Sequence, residues 1–184
     1  MTAIDYDFEF LEDGRRIYPI SIGMVCDDGR EYYAVNRDMP VRRIRKHKWL
    51  MENVVPGLPK AHGDRRLTMP KRWLFDYADP AVKRRERIAT EVAAFIQATP
   101  DVELWANYGA YDHVCLAQLW GPMIALPDGV PMFTNDIQQE ARRLGISWDA
   151  LPKQESGEHN ALQDARHNQT VRRWLAKQAK GVGA

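Results

Sequence analysis

Cysteine is scarce. Only Cys26 and Cys115 occur in 184 residues, both inside apolar runs and without CxxC spacing. That excludes a disulfide framework and a cysteine-built metal centre, and it fits a reducing compartment with two inert buried thiols. No apolar run is long enough to span a bilayer, and the first residues lack the basic and then apolar pattern of a secretory leader. A cytoplasmic protein with no membrane partner is therefore expected. Histidine-rich clusters are missing too, which together with the shortage of cysteine argues against zinc. There is no internal repeat, and the only biased stretch is the short tail "KGVGA". What is present is an ordinary globular composition, 45% apolar and 28% charged. Its length suits a single domain over about residues 1–180, with a flexible tail at 181–184.

Charge is unevenly spread. Residues 37–87 hold 15 of the 26 Lys and Arg but only 6 of the 25 Asp and Glu, so that segment carries +9 and the remainder −8. Such a block is either a solvated face bridged to the acidic part or the footprint of a protein that holds a polyanion beside carboxylates. Charge alone favours the solvated face.

Hydrophobic period and turn signals predict an α/β order. Residues 3–10 read as a first strand, and the turns "EDG" and "DDG" separate it from "IYPISIGMVC" and "REYYAVN". This is the pattern of three antiparallel strands in a meander. A basic excursion over about 37–80 follows, without a core of its own and with one short helix around "HKWLMENVV". Asp79 and Pro80 read as the cap and first position of a helix whose apolar stripe is Ile88, Val92, Phe95 and Ile96, ending near Thr99. The strand "VELWAN", the helix "AYDHVCLAQLW", an extended "VPMFT", the helix "DIQQEARRL" closed by Gly145, and a last helix over about 160–178 complete the chain. Crossover helices make the fourth and fifth strands parallel to the first, giving a mixed five-stranded sheet flanked by helices.

The first strand carries an anomaly. Residues i and i+2 of a strand point to one side, so Asp7 and Glu9 project together. Two ionised carboxylates at that distance repel each other, and burying them is costly unless a cation is present. Either this face is open to solvent or the pair binds a metal. Asp112 and Asp164 each fall in the first turn of a predicted helix, where the dipole alone would favour an acid. Taken together, the four carboxylates lie on elements that an α/β fold can bring to one point. Hard oxygen donors of this kind suit Mg²⁺ or Mn²⁺, with two ions as the usual arrangement for phosphoryl chemistry. His159 precedes Asp164 by five residues, which rotate by about 140° on a helix, so the two cannot share a helix face. His159 is therefore placed in the loop before the last helix, either as an ordinary loop histidine or as a general base active near neutral pH.

These residues carry a family resemblance. "DFE", Asp112 within "WANYGAYD", and "HNALQD" resemble the three motifs of the DEDDh 3'-5' exonucleases, which have a ribonuclease H-like fold. "FLEDG", "ISIG", "DGREYYAV", "ELWA", "GAYDHV", "QLWGPM", "ALP" and "VP" are similar, in the same order, to the polyadenylate-specific 3'-exoribonuclease AS family over roughly residues 6–173. The resemblance implies a metal-dependent exoribonuclease that releases nucleoside 5'-monophosphates from RNA 3' ends, with a preference for adenylate-containing ends. It also implies that Asp7, Glu9, Asp112 and Asp164 hold two Mg²⁺ ions (with Mn²⁺ able to substitute), that His159 activates the attacking water, and that the protein forms a homodimer. Substrate contacts are expected from the backbone at Phe8, whose side chain is assigned to the core, and from Asn107 and Tyr108 at a strand end. Trp105 and Tyr111 are assigned to the core by their strand position and helical spacing. An exodeoxyribonuclease, or an RNA-binding module on the same fold without turnover, are the alternatives.

Overall fold

The architecture is that of a computed structural model, which describes residues 1–60, 73 and 75–181. Of the tail expected at 181–184, Gly181 ends the last helix and 182–184 lie outside the described residues, as do 61–72 and 74 of the basic excursion. Strand β1 (Thr2–Glu12) keeps the expected period of two, with Ile4, Tyr6 and Phe8 buried on one side and Asp5, Asp7 and Glu9 on the other. It pairs antiparallel with β2 (Ile17–Cys26), which pairs antiparallel with β3 (Glu31–Asn36), as the two turns require.

The described sheet has six strands, one more than expected, in the order β4-β3-β2-β1-β5-β6. The addition is β4 (Val82–Lys83), which runs parallel to β3. It displaces the predicted helix start, because the N–H groups of Val35 and Arg37 donate to the carbonyls of Ala81 and Lys83 at 2.8 Å. Edge pairing satisfies those donors, and the Asp79 side chain accepts from the Ala81 N–H in a local turn instead of capping a helix. The helix α3 begins later, at Arg85–Gln97. The excursion folds as α1 (Val41–Ile44) and α2 (Lys48–Asn53), the latter capped by His47. Its apolar residues Ile44, Leu50, Val54 and Leu58 bury against Leu11, Ile20 and Val35 of the sheet.

Beyond the excursion come β5 (Val102–Ala106), α4 (Ala110–Gln118), β6 (Asn135–Asp136), α5 (Ile137–Arg143) and α6 (Ala161–Gly181). The fifth strand expected at "VPMFT" lies instead at β6, beside Trp105 and Ala106, and Met132 and Phe133 are exposed. Helices α3 and α4 pack on the face of the sheet that carries Tyr6 and Phe8, forming a core with Ile22, Met24, Val92, Ile96 and Leu116. Trp105 packs with α5 and α6 around Ile137 and Leu175, in line with its core assignment.

Helix α6 covers the face that carries Asp7 and Glu9, and a glycine sets how close it comes. A Cβ at Gly23, the β2 partner of Asp7, would run into the backbone of Ala161 and Leu162 at the start of α6. Gly23→Ala is predicted to push α6 away, with a loss of about 1 to 3 kcal/mol in urea denaturation. An unchanged midpoint would contradict this packing.

Candidate active site

The site lies where the sheet splits. Strand β1 pairs with β5 only from Thr2 to Asp5, opposite Val102 to Trp105. Past that point the two parallel strands diverge and leave a crevice at their carboxyl ends, the place where open α/β sheets bind ligands. The N–H of Phe8, facing this gap, donates to Asp112 Oδ1 at 2.8 Å. One hydrogen bond thus ties the first turn of α4 to the strand that carries Asp7 and Glu9. The turn leading into α4 is fixed from the other side by Asp136. One of its oxygens accepts from the Gln138 and Gln139 N–H groups at the start of α5, and the other accepts from the Gly109 N–H at 2.6 Å.

Asp164 arrives from the first turn of α6, as its position in the sequence predicts. Its carboxylate accepts from Gln154 Nε2 at 2.8 Å and from the backbone N–H of His159 at 2.9 Å. His159 sits in the loop ahead of the helix in a left-handed conformation, φ 63°. Its ring meets the Trp49 ring edge to face at 4.8 Å, so the excursion touches the histidine directly. Glu9, His159 and Asp164 each present a ligand atom within 4.8 Å of the other two.

All eight residues singled out from the sequence line one cleft of about 210 Å³: Asp7, Phe8, Glu9, Asn107, Tyr108, Asp112, His159 and Asp164. The Phe8 side chain is buried, edge to face with Tyr6, so only its backbone serves the cleft. Asn107 Oδ1 accepts from Gln138 Nε2 at 2.6 Å, and Tyr108 is exposed near Trp148. Tyr111 is not a core residue as its helical spacing suggested. It is 55% exposed, stacks on Phe10 at 6.1 Å, and forms part of the cleft wall. Helical period places it on the apolar stripe, but the buried side of α4 is the one that carries Asp112, Cys115 and Leu116, and Tyr111 and Val114 are both exposed. The contacts of Phe10 with Tyr111, Trp49 with His159, Gln154 with Asp164 and Asp136 with Gly109 are not readable from the sequence, since no period or spacing pairs these residues.

The electrostatics are strained. Among the described residues no Lys or Arg forms an ion pair with Asp7, Glu9, Asp112 or Asp164. Burial, then the charges of Asp112, Glu9 and Asp164, push Asp7 well above the carboxylate range. Burial and the charges of Asp164 and Asp112 push Glu9 up to about 8. Burial raises Asp112 to about 7 despite the Phe8 N–H, and Asp164 is also raised, again chiefly by burial. Four oxygen donors that resist ionisation for want of a positive charge are the donor set a hard divalent cation fits. Asp7, Glu9, Asp112 and Asp164 could hold such ions, with His159 beside them.

The basic excursion divides between structure and exposure. Arg43 donates to Asp13 at 2.7 Å and lies over Tyr18, and Arg45 donates to the Trp73 carbonyl at 2.8 Å. Arg43 holds the segment to the body and Arg45 ties two parts of the segment together, whereas Arg42 and Lys46 face solvent. No helix of the described residues is long and apolar enough to cross a membrane.

The family model of the Rv2179c-like 3'-5' exoribonuclease domain matches residues 72–175. Two curated proteins of Mycobacterium tuberculosis are each 40% identical over 163 residues, which is 88% of this chain and 85% of theirs. They are 3'-5' exoribonuclease Rv2179c of strain ATCC 25618 / H37Rv and 3'-5' exoribonuclease MT2234.1 of strain CDC 1551 / Oshkosh. The chain belongs to the Rv2179c-like 3'-5' exoribonuclease family. In this Rv2179c-like chain the segment matched by the family model carries Asp112, His159 and Asp164, and Asp7 and Glu9 lie ahead of it.

The raised carboxylates give a pH prediction. Glu9 titrates near 8 in the fold and at its ordinary 4.5 when unfolded, so across that window the native state binds the extra proton and stability falls as pH rises. In metal-free protein, Glu9→Gln should leave the thermal midpoint unchanged below about pH 4.5 and raise it increasingly toward pH 8. Added Mn²⁺ should stabilise the wild type at pH 8 and the variant much less, read by differential scanning calorimetry. A gap between the two proteins that does not widen with pH would contradict the assignment.

Proposed function

We propose that this protein is a metal-dependent 3'-5' exoribonuclease of the DEDDh type, releasing nucleoside 5'-monophosphates from RNA 3' ends with a preference for adenylate-containing ends. The observation that carries this reading is the convergence of four carboxylates and His159 in one cleft with aromatic walls. The names of the two mycobacterial relatives favour RNA over DNA. A ribonuclease H-like fold is supported by the antiparallel meander followed by parallel crossovers. A homodimer belongs to the same reading, supported by Met123, Ile124, Met132 and Phe133, each more than half exposed between α4 and β6.

In this scheme the 3' end enters the cleft beside β1, and Tyr108 and Tyr111 offer faces on which bases stack. Bound by the four carboxylates, two Mg²⁺ or Mn²⁺ ions would supply the positive charge that acidifies the attacking water and stabilises the phosphoryl transition state. His159 takes the proton of that water. The water oxygen bonds to the last phosphorus as the bond from phosphorus to the penultimate 3' oxygen breaks, and the shortened strand leaves with a 3'-hydroxyl. Trp49 and the Asp164 contact hold the His159 ring and backbone for this task.

The test is a panel of labelled oligonucleotides, varying sugar and 3' base, with Mg²⁺ or Mn²⁺. Mononucleotides should appear from RNA ahead of matched DNA, and Asp7→Ala should abolish release. His159→Ala should lower kcat by about 10² to 10⁴ while leaving metal affinity nearly intact. Salt-sensitive RNA binding without release would identify the non-catalytic module instead, and DNA cleaved faster than RNA would identify a deoxyribonuclease.

A further inference from the structure

Helix α6 meets β1 through three polar side chains on one stripe. Asp164, Asn168 and Arg172 are spaced by four, so they follow one another along the helix at about 6 Å. Same-face residues of β1 recur at about 6.6 Å, and the two elements run in opposite directions. At one end Asp164 lies beside Glu9, within the 4.8 Å grouping that includes His159. In the middle, Asn168 Nδ2 donates to the Tyr6 carbonyl at 3.2 Å. At the far end Arg172 clasps Asp5 with two donors, Nε to Oδ1 at 2.9 Å and Nη2 to Oδ2 at 2.9 Å. The spans match: about 12 Å from Asp164 to Arg172 on the helix, and about 13 Å from Glu9 to Asp5 on the strand.

We propose that Asp5 and Arg172 are positioning residues for the carboxylate site: their ion pair fixes the register of α6 on β1, and so the distance of Asp164 from Asp7 and Glu9. Asp5 is fully buried and the Arg172 side chain is 13% exposed. Sliding the helix by one turn would separate a buried carboxylate from its guanidinium, which is strongly disfavoured. A buried ion pair is a poor source of net stability compared with apolar packing, and register is the use best attested for one. The helix's apolar contacts, such as those of Val171 and Leu175, are non-directional, and its other forked ion pair, from Arg166 to Glu31, lies at the surface with the two side chains 43% and 35% exposed. Arg172 also donates to Asp27 at 2.7 Å, a residue it shares with Arg173, whereas Arg173 forms no ion pair with Asp5.

The inference rests on the metal-dependent reading above, and its test separates the two. Mn²⁺ binding is measured by calorimetry without RNA for the wild type, Arg172→Leu, Arg172→Lys and Arg173→Leu, alongside kcat, KM and urea denaturation. Arg172→Lys keeps the charge opposite Asp5 and loses the two-point fork. Both Arg172 variants should bind Mn²⁺ about 10-fold or more weakly, and kcat should fall with KM for RNA little changed. Arg173→Leu should match the wild type in both. Should Arg172→Leu fail to fold, Arg172→Lys decides. A folded Arg172→Lys with wild-type Mn²⁺ affinity and kcat, even one with a lowered urea midpoint, would overturn the positioning role and leave the metal reading standing. A wild type that binds no Mn²⁺ would remove the metal reading, and the inference with it.

Discussion

The burial of four carboxylates, compounded by their mutual repulsion, is the constraint around which this molecule is arranged. Asp7, Glu9, Asp112 and Asp164 come from three elements, β1, α4 and α6, and the charges of Asp112, Glu9 and Asp164 all add to the charging cost of Asp7. Among the described residues no Lys or Arg forms an ion pair with them, although the chain has 26 such residues. The fold spends its cations elsewhere: Arg43 on Asp13, Lys83 and Arg87 on Glu91, Arg172 on Asp5. The proposed divalent cations would supply the charge that this cluster lacks, and the family relationship gives that proposal a chemical setting.

Three backbone features hold the unfavourable cluster together. The divergence of β1 from β5 after Asp5 frees the Phe8 N–H, and that donor captures Asp112. The lack of a side chain at Gly23 lets the start of α6 rest on β2, which brings Asp164 down to the strand. The left-handed turn at His159 returns its N–H to Asp164, so the histidine and the last carboxylate are fixed relative to each other. Each feature uses main chain, whose position is set by the sheet and helix ladders, so that the charged side chains need not bear the cost of assembling themselves.

Much of this was legible in the sequence because it followed from period. The alternation of β1 put Asp7 and Glu9 on one face, and a separation of five excluded His159 from the helix that carries Asp164. Tyr111 went astray under the same logic, since helical spacing identifies a stripe but not which side of the helix is buried. The strand β4 was invisible because two residues carry no period, and it forms only to satisfy the edge of β3. The contact between Asp5 and Arg172 spans 167 positions, and becomes readable only when the direction of α6 across β1 is known. Trp49 belongs to a segment whose basic composition drew attention to charge, whereas its contribution to the cleft is an aromatic edge against His159.

The most direct test of the central claim is the anomalous scattering of Mn²⁺ in crystals of the Asp7, Glu9, Asp112 and Asp164 protein soaked with the ion and a non-hydrolysable RNA end. The account predicts two peaks roughly 3.5 to 4 Å apart within reach of these carboxylates, with the RNA 3' end beside them. Carboxylates left without Mn²⁺ while the RNA occupies the cleft would contradict it.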